Sequence, residues 1–112
     1  GVIIEEGAVV RNSILMRNVH VKAGSVIDRC IIDCDCVIGE DSQVGVGEDI
    51  VPNGEMPGIL NTGLTVIGKG RTLAPSTVVG RSVIIHPAHG VQRAPEVTGE
   101  IASGASVGEA ER

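Results

Sequence analysis

Large aliphatic residues recur along this chain with two nested periods. The longer is 17 residues: Ile4, Val21 and Ile38 share one register, Ala8, Ser25 and Ser42 a second, and Val10, Ile27 and Val44 a third. The shorter is a step of six, as in Ile4 to Val10 to Met16, with a smaller residue usually four places after each large aliphatic. No segment carries the apolar stripe of an amphipathic helix. The nested repeat predicts an all-β solenoid, in which each hexad is one side of a prism and whole coils stack on one another.

Three hexads make one coil. Coil one runs from Val2 to Asn18 and coil two from Val19 to Asp35, each one residue short of three hexads. The short step of five is read at Met16 to Val21 and again at Asp33 to Ile38. Coil three opens at Cys36-Val37-Ile38-Gly39 and continues through Val44 and Ile50. The pattern then breaks at Val51. Pro52-Asn53-Gly54 and Met56-Pro57-Gly58 are turn chemistry, so a loop over about 51–63 is predicted. Coil four follows with Ile67, Leu73, Val79 and Ile85 at steps of six. Arg71, Thr77 and Val83 hold its fourth positions, and Arg71, too large for that role, is placed at a corner.

Beyond Ile85 the register weakens. Pro87 and Pro95 each remove a backbone donor, and His89 and Pro95 suit fourth positions badly. The division expected is therefore a repeat domain over 1–85 and an extension over 86–112 that leaves the solenoid. Residues 101–107 supply at most one edge strand there, and 108–112 fray. The expectation is about four coils with one inserted loop.

Composition agrees with a solenoid. The 112 residues include no Phe, Tyr or Trp and 16 Gly. A stack of aliphatic layers needs no aromatics, and a chain that turns every few residues needs small corner residues. About a dozen inward aliphatics, each contributing roughly 1.5–3 kcal/mol on burial, oppose the ordering entropy of the whole chain. Four coils are thus marginal alone and should gain from self-association or a neighbouring domain. The net charge of −5 gives no case for nucleic-acid or anionic-membrane binding. No apolar run approaches the ~18 residues that span a bilayer. The odd number of cysteines and the lack of a secretory pattern suggest reduced thiols in a cytoplasm. The chain begins at Gly1, already inside the repeat, which suggests a piece of a longer protein.

Three constellations carry candidate chemistry. Cys30, Cys34 and Cys36 follow a C-x3-C-x-C spacing that lacks the C-x-x-C pairs of a zinc site. His20, one coil below Val37, is a conceivable further ligand, but small core or surface thiols are the simpler reading, and no metal site is assigned. Cys34 and Cys36 share a face unless a corner intervenes. His86 and His89 raise the question of a hexapeptide acyltransferase that uses a loop histidine as general base and coenzyme A as donor. No partner carboxylate can be assigned, and solvated loop histidines are the plainer reading. Finally, Gly68-Lys69-Gly70-Arg71-Thr72-Leu73-Ala74-Pro75 resembles a glycine-rich nucleotide loop with the wrong spacing. Leu73 belongs to the six-step series, so Lys69 and Arg71 are read as corner cations able to bind a phosphorylated effector.

Two segments carry a family resemblance. Residues 2–16 (VIIEEGAVVRNSILM) and 61–70 (NTGLTVIGKG), followed by Pro75, resemble the C-terminal domain of bacterial ADP-glucose pyrophosphorylase, also called glucose-1-phosphate adenylyltransferase. The resemblance covers about residues 2–85. It implies a left-handed parallel β-helix that follows a Rossmann-like catalytic domain. That domain would convert glucose 1-phosphate and ATP, with Mg²⁺, into ADP-glucose and pyrophosphate for glycogen or starch synthesis. The β-helix would serve tetramer assembly and the binding of sugar-phosphate or nucleotide effectors near the catalytic domain. The resemblance carries no catalytic residue and no cofactor onto these 112 residues, and the fragment alone is predicted to be inactive. Its partners would be its own catalytic domain and further subunits. Lys69 matches the region of an effector-binding lysine. The β-helix of another sugar-1-phosphate nucleotidyltransferase remains an alternative, because substrate choice is made outside this segment.

Overall fold

The computed structural model describes residues 1–47, 63–87 and 96–108. Fourteen short strands, numbered in chain order, form three parallel sheets that are the three faces of a prism. Face A holds β1 (Ile3–Ile4), β4 (His20–Val21), β7 (Val37–Ile38) and β10 (Thr72–Leu73). Face B holds β2 (Val9–Arg11), β5 (Val26–Asp28), β8 (Gln43–Val44), β11 (Val78–Val79) and β13 (Glu100–Ile101). Face C holds β3 (Ile14–Leu15), β6 (Cys30–Ile32), β9 (Thr65–Ile67), β12 (Ile84–Ile85) and β14 (Ser106–Val107). The chain visits the faces in the order A, B, C and rises one coil per circuit, which makes a parallel β-helix.

The register gives five layers of three aliphatics. They are Ile4, Val10 and Leu15; Val21, Ile27 and Ile32; Ile38, Val44 and Ile67; Leu73, Val79 and Ile85; and Val97, Ile101 and Val107. All nine residues of the three middle layers are essentially inaccessible to solvent. Strands of two or three residues cannot be stable singly. Each is held by the parallel ladder to the neighbouring coil, on both sides within a sheet and on one side at its ends, and by the aliphatic column on its inner side.

The corners are made by residues that tolerate a left-handed backbone. Asn18 and Asp35 turn the chain from face C to face A at φ of 61° and 63°, and Asp41 and Ser76 turn it from A to B. Hydroxyls fill the space behind the A–B corner. Ser25 Oγ donates to the Gly39 carbonyl at 2.8 Å and Ser42 Oγ to the Ala74 carbonyl at 3.2 Å, so the buried hydroxyl of each coil satisfies the backbone of the next.

Three sequence expectations need correction. The short step falls between Val10 and Leu15, not after Met16. A single left-handed residue, Asn12 in coil one and Arg29 in coil two, turns the B–C corner and removes one position. Leu15 therefore faces inward, while Met16 is 40% exposed. Two adjacent apolar residues had made either step readable. Second, Ile67 closes coil three rather than opening coil four: it lies beside Ile32 on face C. The segment inserted between β8 and β9 thus sits at the B–C corner of coil three. The predicted loop lies outside the described residues, apart from Gly63.

Third, the stack has five coils, not four. Val97 bridges to Leu73, β13 pairs with β11 and β14 pairs with β12, so residues 96–108 continue all three faces. Pro87 does not prevent this, because it follows β12 where the chain has already left the ladder. Pro95, His89 and residues 109–112 lie outside the described residues. Among the described residues no helix is long and apolar enough to cross a membrane.

Candidate functional site

The C–A corner between coils three and four holds the two cations singled out by sequence. Gly68 follows β9, and its amide donates to the Ile85 carbonyl at 2.7 Å. Lys69 and Gly70 then form the turn, with the Gly70 amide bound to the Cys34 carbonyl one coil below at 3.1 Å. Lys69 is exposed on this turn. Arg71 follows at the inner corner position that Val19 and Cys36 hold in the coils below, and it is only 8% exposed. It is at a corner, as expected, but not solvated.

A guanidinium in that column must keep its hydrogen bonds. Nε of Arg71 donates to the His86 carbonyl at 2.7 Å. Its tip runs toward Gly108, where an added Cβ would lie 2.7 Å from Nη2. Glycine after β14 therefore leaves the room the arginine occupies. Lys69 and Arg71 share a corner at different depths: one points to water, and the other is built into the wall. The nucleotide-loop likeness of residues 68–75 dissolves in the same geometry, since Leu73 is a buried inner residue of β10.

His86 is not a solvated loop residue. It is buried beside the fifth coil, and its amide donates to the Val107 carbonyl at 2.9 Å. His20 lies on the outer side of face A, with Nε2 2.5 Å from Glu5 Oε2. The other Glu5 oxygen accepts from the Ala23 amide at 3.2 Å. The Glu5 carboxyl is held below its ordinary range, first by the His20 hydrogen bond and then, against a smaller opposing effect of burial, by the Ala23 amide.

The three cysteines do not converge. Cys30 is buried at the B–C corner, where its amide binds Ser13 Oγ at 3.0 Å and its thiol donates to the Asp28 carbonyl at 3.2 Å. Cys36 is buried at the C–A corner with its thiol on the Gly68 carbonyl at 3.1 Å. Asp35, at φ 63°, lies between Cys34 and Cys36, so the corner separates them and Cys34 is half-exposed. Burial pushes the Cys30 thiol up to about 12 and raises that of Cys36 as well. Among the described residues no three His, Cys, Asp or Glu side chains gather as a metal site.

Two further features were missed in the sequence. The outer positions of β3, β6, β9 and β12 on face C are Ile14, Ile31, Val66 and Ile84, and a groove of about 360 Å³ opens over the last three between Met16 and Pro87. The signal was present, since each inner residue of β3, β6, β9 and β12 follows a second aliphatic. Reading only the inner register passed over it. The other feature is a charge cluster on the B–C edge. Asp28 lies 3.8 Å from Arg11 and 3.9 Å from Arg81, and Arg81 Nε also donates to the Gly47 carbonyl. Only the coil-to-coil register brings these residues together.

The site thus offers one exposed cation on a rigid turn, a buried arginine behind it, and an apolar groove on the adjoining face. The carboxylate–imidazole contact of Glu5 with His20 lies on coils one and two, away from this corner. The family described as GlmU-like, C-terminal hexapeptide, matches residues 1–67. The chain belongs to that family.

Relatives of this hexapeptide chain carry a common name. It is 45% identical over 77 residues to glucose-1-phosphate adenylyltransferase of Thermomicrobium roseum, covering 69% of this chain and 18% of that protein. It is 32% identical over 87 residues to the enzyme of the same name from Acetivibrio thermocellus, covering 78% of this chain and 20% of the relative. A third, from Fervidobacterium nodosum, is 31% identical over 85 residues, 76% of this chain and 20% of the relative. The hexapeptide chain spans about a fifth of the length of the curated relatives it matches. No solved structure matches it. The resemblance read from residues 2–16 and 61–70 agrees with these relatives.

Proposed function

We propose that this chain is the assembly and regulatory β-helix domain of a glucose-1-phosphate adenylyltransferase. The observation that carries the reading is the 45% identity over 77 residues to a protein of that name. The site geometry is in keeping with it. A rigid prism with a solvent-facing cation and an apolar outer face is suited to holding partners and binding an anion, not to bond making. The reaction, ATP and glucose 1-phosphate giving ADP-glucose and pyrophosphate, would then be carried out by the remainder of a longer protein.

In this reading Lys69 supplies the exposed positive charge for a phosphorylated effector. Arg71, tied to His86, fixes the corner that presents it. The partners are a catalytic domain and further copies of the subunit.

The test is to express the full-length protein that contains this segment and assay ADP-glucose formation, beside the 112-residue chain alone. Activity in the longer protein only is the expected result. A full-length protein that forms no nucleotide sugar from glucose 1-phosphate and ATP would overturn the reading.

A further inference from the structure

Arg81 lies two residues after β11, at the B–C corner of coil four, and its side chain does not stay in its own coil. Ile27, Val44 and Val79 stand side by side on face B, so Asp28, Gly45 and Gly80 follow them in one column at that corner. Arg81 reaches past coil three to coil two, where Nη2 lies 3.9 Å from Asp28 Oδ2. Coil three has glycine at 45 and 47, so neither position puts a side chain in the way. At 45 none would fit: an added Cβ would lie 2.0 Å from the Asp28 carbonyl oxygen. The backbone of Arg81 is held from the other side, by coil five. Its amide donates to Ser103 Oγ at 3.0 Å, and its carbonyl accepts from the Gly104 amide at 2.8 Å. One residue therefore links coils two, four and five.

On its way Arg81 meets both residues that bound the segment inserted in coil three. Nε donates to the carbonyl of Gly47, the last described residue before the insertion. Gly63, the first described residue after it, packs on the same side chain: a Cβ built there would lie 3.4 Å from Arg81 Cδ and 3.6 Å from Nη1. The Gly63 amide donates to the hydroxyl of Ser82, the residue after Arg81, at 3.2 Å. Asp28 is in turn fixed from coil one. Its carboxylate lies 3.8 Å from Arg11 and accepts from Asn12 Nδ2 at 3.5 Å. The Asp28 and Arg81 side chains are only 15% and 14% exposed, so salt screens their attraction far less than that of a surface pair. The arrangement also carries a penalty: Arg81 Nη1 is buried and finds no acceptor among the described residues. A guanidinium kept at that cost, in contact with both ends of one insertion, is placed for what it holds.

We propose that Arg81 is the positioning residue of the insertion in coil three: its guanidinium, seated on Asp28, holds Gly47 and Gly63 to the prism together. The insertion then leaves and rejoins the B–C edge at a single root, and coil five, by fixing the backbone of Arg81, holds that root in place. This role goes beyond the proposed function and does not depend on it.

The test is hydrogen-exchange mass spectrometry of the full-length protein that contains this segment. Residues 45–46 and 65–66, whose amides donate between coils on either side of the insertion, are compared with residues 20–22 and 37–39 on face A, whose amides do the same far from Arg81. Arg81→Met is expected to speed exchange about tenfold or more at both ends of the insertion at once, and to leave face A within about twofold of wild type. Arg81→Lys should fall between, because an ammonium can take Asp28 or the Gly47 carbonyl but has no fork for both. Asp28→Asn should loosen both ends as well, and adding it to Arg81→Met should change little further. Equal acceleration on face A would make Arg81 a general stabiliser of the stack and overturn the role. Unchanged rates, or acceleration at one end alone, would overturn it too. If Arg81→Met does not fold, Arg81→Lys and Asp28→Asn carry the same comparison. None of these outcomes touches the adenylyltransferase reading, which the activity assay decides.

Discussion

Gly68 lies directly against Pro87: a Cβ built on Gly68 would be 2.4 Å from the proline nitrogen. The two residues occupy the same corner one coil apart, so the approach is set by the stacking distance of the sheet, ~4.8 Å. Gly68 does not have a positive φ, and its requirement is space alone. Gly68→Ala should lower stability by about 1–3 kcal/mol in urea unfolding. Gly39→Ala should do the same, since its Cβ would lie 2.6 Å from the Leu73 carbonyl oxygen. Wild-type stability in both variants would show that the coils can separate at their corners.

In the proposed reading Lys69 serves effector binding and Arg71 serves the fold. Lys69→Ala, on an exposed turn, should leave the unfolding midpoint unchanged and weaken activation of the full-length enzyme by a sugar phosphate, with little change in substrate KM. Arg71→Met should act on the fold instead. It leaves the His86 carbonyl without its guanidinium donor, a loss of roughly 1–3 kcal/mol for a buried acceptor, read in the same unfolding curve. An unchanged activation curve for Lys69→Ala would remove the effector role.

The Glu5 and His20 contact ties coil one to coil two and gives stability a pH dependence of known sign. The Glu5 carboxyl is lowered from an ordinary 4.5 when folded. Its contribution is therefore complete above that value and is lost as pH falls through the lower, folded one. Glu5→Gln should flatten the acid limb of a stability–pH profile below about pH 4.5. The two profiles would be parallel there if the contact did not form in solution.

The thiols should react in two classes. Cys34 is half-exposed, whereas Cys30 and Cys36 are buried with their thiols pushed upward. An aromatic disulfide reagent at pH 8 is expected to modify one thiol quickly and the other two only on unfolding. Three equally fast thiols would mean that the corners open readily.

The prism itself was legible in the sequence because the inner columns obey one rule. Ile4, Val21 and Ile38 repeat at the coil length, and nothing but stacking demands that. The short step was misplaced because Leu15 and Met16 are both apolar, and only the left-handed turn at Asn12 shows which one faces inward. The fifth coil escaped notice for a related reason. Ile101 and Val107 keep the step of six, but Val97 lies only four residues before Ile101, and Pro87 and Pro95 read as an exit, although Pro87 sits where no ladder donor is needed. The site was less legible. Lys69 and Arg71 look alike as corner cations, and only the His86 carbonyl and the gap at Gly108 explain why one of them is buried. Neither lies near it in sequence.

The segment between β8 and β9 enters at a corner, and its cost to the repeat is nil: Ile67 sits beside Ile32, 35 residues after it, as squarely as Ile32 sits beside Leu15 after 17. A face has a fixed width, but a corner has only a direction. Chain length added at a vertex leaves every layer above it in phase. The architecture therefore allows its rim to vary independently of its bore, so that coil three can acquire new surface without renegotiating the packing of coils one, two or four.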